Sequence, residues 1–442
     1  MRVLACLGLS LTLAAQGLPP STQDLVGKVE SSRLRRTVER LVSFGTRHTL
    51  SETGSETRGI GAARRWLAQE AEHACRLPGS RLVAFEDRFT ADPGPRIPKP
   101  VEVVNVGLLL PGMDPDRAKE ALVIMGHYDS RASDIMDFNS DAPGAVDDAS
   151  GVAMAFEMAL VMAAEMPAIS IYFVAVAGEE QGLVGSAHLA KRLKAEGIRV
   201  IGALALDTVG NSLGVNSVKD NTSVRLFSEG VPSFETDAQK RVREALGAEN
   251  DGASRELARY LKRFGERYVQ DLEVLVMLRR DRVGRGGDHT AFTREGFPGA
   301  RVTETVENYD RQHQNPRVEG KRAFGDSSAF FDSGYCTKVT RMVTGAVRGL
   351  AMAPAPPREV SLGGAATPDA RLKWVLSPDR RITGILVYRR RADGVQWQQT
   401  QPYPVGESVV LTGAGTDNHV YAVATVDAQG NESLPASPSR LE

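Results

Sequence analysis

Four stretches of the chain, Val101 to Leu110, Ala121 to Gly126, Ile169 to Ala177 and Val200 to Leu206, are predominantly apolar on both faces of an extended backbone. A strand with one face in water alternates polar and apolar residues, so strands of this kind must be covered on both sides. Helical patterns stand between them: Ser150 opens a long apolar helix to about Glu165, and Leu183 to Ala195 has helical spacing. Two more come first, one with Leu34, Val38, Leu41 and Val42 on a single face and Gly45 as its stop, the other with Ile60, Ala63, Leu67 and Ala71. The alternation predicts an α/β fold with a mixed, mostly parallel central sheet flanked by helices. Such sheets carry their chemistry on the loops just beyond the carboxyl ends of the strands.

The rest divides by composition. Residues from about Phe227 to Val283 are more charged and read as mainly helical, Ala253 to Phe264 most clearly. The run Ala351 to Pro357, Ala-Met-Ala-Pro-Ala-Pro-Pro, predicts an extended, semi-rigid linker. Beyond it, Ala370 to Val375, Gly384 to Arg390 and His419 to Val426 alternate with period two between turn residues, which predicts a β-sandwich over 358–442. At the other end, Arg2 precedes the apolar run Val3 to Ala15 and small residues up to Gly17, the pattern of a secretory signal peptide over 1–17. A main domain over 18–350, exported to the periplasm or the medium, is therefore expected. No later run reaches the ~20 apolar residues of a membrane span, since Val152 to Ala164 is too short and contains Glu157. Once the signal with Cys6 is removed, Cys75 and Cys336 allow at most one disulfide, so no disulfide framework supports the fold.

Basic and acidic residues number 54 and 55, a net charge of −1, which argues against a nucleic-acid partner. Arg279, Arg280, Arg282 and Arg285 are a local exception, read as a solvated or substrate-side patch. The placement of acids and histidines is more informative. His127-Tyr-Asp129 follows the second strand directly. On extended backbone these two side chains face the same way, so the Asp129 carboxylate can accept the second imidazole N–H and fix the tautomer of a metal-binding histidine. Asp147-Asp148 stands just before Ser150, where a carboxylate can bridge two cations and Asp148 or Ser150 can cap the helix. Glu179-Glu180 follows the third strand, and adjacent carboxylates on extended backbone diverge, so one can ligate a metal while the other serves as a general base. Asp207 ends the fourth strand, and His313 comes later, before Gln-Asn-Pro. Capping alone does not explain three strand ends and a helix start that each deliver a histidine or a carboxylate. His48, His73, His188 and His419 are read as structural.

The order His-x-Asp, Gly-Ala-x-Asp-Asp-x-Ser-Gly, Glu-Glu-x-Gly-Leu-x-Gly-Ser, Leu-Asp and a late His resembles the co-catalytic two-zinc aminopeptidases of the bacterial leucyl aminopeptidase type, metallopeptidase clan MH, over roughly Asp24 to Leu350. The resemblance implies one zinc held by His127 and Asp207, another by Glu180 and His313, Asp147 bridging them, and Glu179 as general base. It places Asp148 beside a strained peptide and Asp288, in Gly-Gly-Asp-His, behind the site with Asp129. Bacterial relatives of this type carry a Tyr and paired Cys before that Asp-His, where this chain has Val283-Gly-Arg-Gly-Gly. Substrate contacts from Arg282 or Arg285 are expected in their place.

Two cations about 3.5–4 Å apart lower the pKa of a shared water and polarise a carbonyl, and the mixed imidazole and carboxylate donors suit zinc, with cobalt or manganese as substitutes. The implied function is an exported exopeptidase hydrolysing the N-terminal bond of peptides. The same family holds carboxypeptidases, glutaminyl cyclases and inactive receptor ectodomains; the complete five-ligand set counts against a cyclase and against an inactive binding module. The tail, with Trp374, Tyr388 and Tyr421 on its strands, resembles a fibronectin type III domain, for which contact with a surface or polymer is expected rather than catalysis.

Overall fold

Leu122 and Ile124 point into one apolar layer, Val123 and Met125 into another, and none is more than 1% exposed. The strand that carries them, β3 (Glu120–His127), lies inside a sheet buried on both faces. The computed structural model describes residues 20–442, so the signal-peptide reading over 1–17 lies outside the described residues. The other strands of the sheet are β1 (Val83–Ala91), β2 (Val101–Leu110), β4 (Ser170–Val176), β5 (Arg199–Leu206), β6 (Ser223–Ser228), β7 (Glu273–Met277) and β8 (Gly299–Glu304), in the order β1-β2-β4-β3-β5-β8-β6-β7. Strands β4, β3, β5 and β8 run parallel, as do β6 and β7, while β1, β2 and the β6–β8 pairing are antiparallel.

One face is covered by α1 (Pro20–Gly27), α2 (Ser31–Val42), α3 (Gly59–Cys75), α4 (Ser150–Met162), α7 (Ala253–Gly265) and α9 (Ser333–Met352). The other holds α5 (Val184–Ala195) and α8 (Asp288–Arg294), whose Leu189, Leu193 and Phe292 meet Val123 and Val174. An amphipathic helix, α6 (Asp237–Leu246), buries none of its residues. Cys75 and Cys336 are both free thiols, and among the described residues no helix is long and apolar enough to cross a membrane.

Several elements differ from the sequence expectations, among them β6 and β8, which were not anticipated. The charged segment from Phe227 to Val283 is not helical throughout, because its β-branched run Glu273–Met277 forms β7 beside β6. Strand β1 was not anticipated, since it is an edge strand burying only Asp87 and Ala91 and has no apolar pattern to read. The linker is shorter than its prolines imply: α9 continues to Met352, and Ala351 is fully buried in the core.

A hairpin, β9 (Arg317–Glu319) with β10 (Arg322–Phe324), projects before α9. The C-terminal unit is a four-stranded sheet of β11 (Arg358–Gly363), β12 (Ala370–Val375), β15 (Ser408–Leu411) and β17 (Arg440–Leu441) facing a three-stranded one of β13 (Gly384–Arg391), β14 (Gln399–Tyr403) and β16 (His419–Val426). Trp374, Ile385, Val387 and Tyr421 pack together between the sheets. The unit seats on the polar face of α7. There Arg259 and Arg390, each 2% exposed, share Asp251, and Trp397 donates to Glu256 Oε2 at 2.8 Å. Its 377–381 and 427–436 segments also line a cleft with Glu120, Arg199 and Pro298, at the amino ends of the parallel strands.

Packing is tightest where α4 begins. A Cβ on Gly151 would collide with the carbonyl oxygen of Leu206 and approach Asp148 Oδ2 at 2.5 Å. Gly151→Ala should therefore destabilise the fold by about 1–3 kcal/mol and displace the start of α4 from the end of β5, read as a lowered denaturant midpoint; an unchanged midpoint would contradict this packing.

Candidate metal centre

The carboxyl ends of β3, β4 and β5, the turn before α4 and the loop after β8 meet at one place. His127, the last residue of β3, is 1% exposed. Its Nδ1 lies 3.1 Å from the Asp129 backbone oxygen, which leaves Nε2 facing Asp147 Oδ1 at 3.1 Å. The predicted tautomer lock is thus present, but the carbonyl supplies it. The Asp129 carboxylate stands 3.6 Å from the ring and instead accepts the N–H groups of Glu179 and Glu180, at 3.2 and 3.1 Å. A fully buried carboxylate gains more from two amide donors than from one imidazole, and here it orients the Glu179-Glu180 turn.

Asp147 is the centre of the cluster. Its second oxygen is 3.0 Å from His313 Nε2, and that nitrogen is 2.8 Å from Glu180 Oε1. Glu180 Oε1 is buried and forms no aligned hydrogen bond among the described residues. Donor atoms that crowd together without hydrogen-bond alignment suit a cation between them. Two triads gather donor atoms within 4.8 Å of one another, one of Asp147, Glu180 and His313, the other of His127, Asp148 and Asp207. Asp148 is the weaker donor of the second triad. The backbone N–H groups of Gly151 and Thr208 bond its Oδ1 and that of His127 its Oδ2, so both oxygens are engaged in joining α4 to the ends of β3 and β5. It is Asp148, not Ser150, that serves the first turn of α4, for the Ser150 hydroxyl donates back to Val146 O at 2.7 Å. The peptide between Asp147 and Asp148 is cis.

Glu179, just beyond the end of β4, is half-buried, and desolvation with the nearby charges of Glu180 and Asp207 holds its carboxyl well above the usual range. Asp288 is buried behind it, and desolvation pushes its carboxyl up to about 7. The substrate-contact expectation for Arg282 and Arg285 meets a different arrangement: both donate to Glu307 Oε2 at 2.9 Å, and Arg282 also holds Asp281. Arg285 alone of the two keeps appreciable exposure, 32% of its side chain.

Three supporting residues escaped the sequence reading. Asp326 Oδ2 accepts the N–H groups of Val146 and Asp147, both at 2.8 Å, and so aims the central carboxylate. Arg47, fully buried, donates to the carbonyls of Tyr128, Pro143 and Gly144 and ties the His127 loop to the Asp147 loop. Arg301 pairs with Asp207 at 2.7 Å. Asp326 and Arg47 lie in polar loops without a local signature, whereas an arginine inside the apolar strand Gly299–Glu304 was a signal available to be read. His48, read as structural, packs behind the site, its Nε2 3.1 Å from Gln181 Nε2.

Without a cation the acids hold protons on the histidines. Burial opposes the charge, but Asp129 and Asp147 raise His127 well above its usual pKa, and Glu180 with Asp147 pushes His313 up to about 10. Cation uptake near pH 7 must displace these protons, so calorimetry in buffers of different ionisation enthalpy should show net proton release. Affinity should rise with pH until His313 is neutral, near 10; uptake without proton release would contradict these directions.

The sequence pattern of peptidase family M28 matches residues 105–325. A probable zinc metalloprotease of Leptosphaeria maculans is 38% identical over 419 residues, covering 94% of this chain and 96% of that one. A probable zinc metalloprotease of Pyrenophora teres f. teres is 38% identical over 428 residues, 95% of this chain and 87% of its own. Among solved structures, the Legionella pneumophila LapA aminopeptidase aligns with a TM-score of 0.53 at 21% identity, over 75% of each chain. An aminopeptidase from Aneurinibacillus aligns at 0.50 and 14% identity, over 74% of this chain and 95% of that one; likenesses this distant speak for the fold. With relatives matching over nearly the whole length and the pattern spanning every loop that brings a donor inward, the chain is a metallopeptidase and belongs to peptidase family M28.

Proposed function

We propose that the protein is an exported zinc exopeptidase that removes residues from the amino ends of peptides. The observation that carries this reading is the Asp147 carboxylate, with one oxygen on His127 Nε2 at 3.1 Å and the other on His313 Nε2 at 3.0 Å. A carboxylate offering one oxygen to each side is the donor expected between two cations. His127 and Asp207 would hold one zinc, Glu180 and His313 the other, with Asp147 between them. Bound there, the ions supply an acidified water and a polarised carbonyl.

The chain's own groups do the rest. Glu179, held through its N–H by Asp129, takes a proton from the attacking water and returns it to the leaving amine. A free substrate α-amine would sit beside one of the cations, which would select chain ends over internal bonds. The complete set of candidate donors and the probable zinc metalloproteases among the relatives support a peptidase over a cyclase. Export rests on the pattern over 1–17. The two-sheet C-terminal unit is read as a fibronectin type III domain that contacts a surface or polymer.

Glu179→Ala should lower hydrolysis of aminoacyl arylamides by about 10²–10⁴ and leave zinc near two per chain. Retained turnover would remove Glu179 as the base, and equal cleavage of peptides with blocked amino ends would remove the aminopeptidase reading.

A further inference from the structure

Strand β8 carries Arg301 between Ala300 and Val302, and the side chain is 1% exposed directly behind Asp207. Its Nη2 lies 2.7 Å from Asp207 Oδ1, and its Nη1 donates to Gly286 O at 2.9 Å and faces Asp281 Oδ2 at 3.6 Å. Asp281 in turn holds Arg282, which shares Glu307 with Arg285. A row of alternating charges therefore runs from a site carboxylate out to a half-exposed arginine. Gly287 makes room for it: a Cβ there would come within 2.9 Å of Arg301 Nη1 and 3.3 Å of Asp207 Oδ2.

The other acidic donor lacks such a partner. The arginine nearest the Glu180 carboxylate, Arg131, keeps its Nη1 3.9 Å from Oε2. The two halves of the centre thus differ in kind. Asp207 has one oxygen committed to a group that stays charged at any working pH, and that charge repels a second cation arriving at its other oxygen. Glu180 faces His313 with its Oε1 unengaged.

We propose that Arg301 makes the two metal positions unequal: as a positioning residue it restricts Asp207 to one free oxygen and weakens the His127–Asp207 position, so the Glu180–His313 position fills first. This rests on the two-metal reading above. The metal would leave in the reverse order, so at limiting zinc the chain holds a single ion on the Glu180 side.

The test is zinc titration of the metal-free full-length protein against a chromogenic chelator, with stoichiometry and dissociation constants as the readout. Wild type should show two classes of site differing by at least about tenfold. His127→Ala should abolish the weaker class and His313→Ala the tighter. Arg301→Met should strengthen the weaker class about tenfold or more and leave the tighter unchanged, while Arg301→Lys, which keeps the charge, should preserve the gap. If Arg301→Met does not fold, the two histidine variants decide: equal affinities of their remaining sites overturn the proposal. It is equally overturned by a wild type with two equal sites, or by an Arg301→Met variant that shifts both classes alike, and in those cases the two-metal reading survives. A wild type that takes up fewer than two zinc ions overturns both.

Discussion

On the proposed two-metal reading, Asp147→Asn should lose both cations at once. The amide offers one neutral oxygen where the carboxylate offers two charged ones, and His127 and His313 each face one of those two. Zinc content should fall from two per chain towards none, and turnover by a factor on the order of 10³–10⁵, the several kcal/mol that cation stabilisation supplies. The backbone need not move, because Asp326 bonds the N–H of residue 147 and not its side chain. A folded Asp147→Asn protein that keeps two zinc ions would remove Asp147 from the centre of the site.

The second large effect lies far from the chemistry. Asp251 stands between Arg259 of α7 and Arg390 of β13, all three buried at the contact between the two units. Asp251→Ala leaves Arg390 without its carboxylate in a dry contact, and breaking such a pair costs about 3–5 kcal/mol. The denaturant midpoint should fall accordingly, with turnover per folded molecule unchanged. A midpoint within error of wild type would mean that water reaches these arginines.

Strands β2, β3, β4 and β5 and the cover on both faces were legible because period and composition report burial on two faces directly, as in Val123 and Ile124, whereas the short strands β6 and β8 were not read. Four of the five candidate donors, His127, Asp147, Glu180 and Asp207, stand at or just beyond strand ends or before a helix, where local patterns point, whereas His313 lies in the loop between β8 and β9 and was read from the order of the motifs. What local pattern cannot report is a partner from a distant loop. Asp326 lies 179 positions from the amide of Asp147 that it holds, and Arg47 reaches loops more than 80 residues away. The burial of charged residues on α7 is hidden for the same reason: Glu256 and Arg259 are covered by a unit that begins a hundred residues later. Edge strand β1 left no trace because its side chains are mostly half-buried or exposed.

The seat of the C-terminal unit determines which way the molecule faces. The unit adjoins the amino ends of the parallel strands, and the metal centre lies at their carboxyl ends. The eight residues of β3 at about 3.3 Å each put roughly 25 Å of sheet between them. A chain tethered through its tail would therefore turn its metal centre outward, towards whatever diffuses past. The same geometry allows a tag or a fused partner after Glu442 without crowding the substrate.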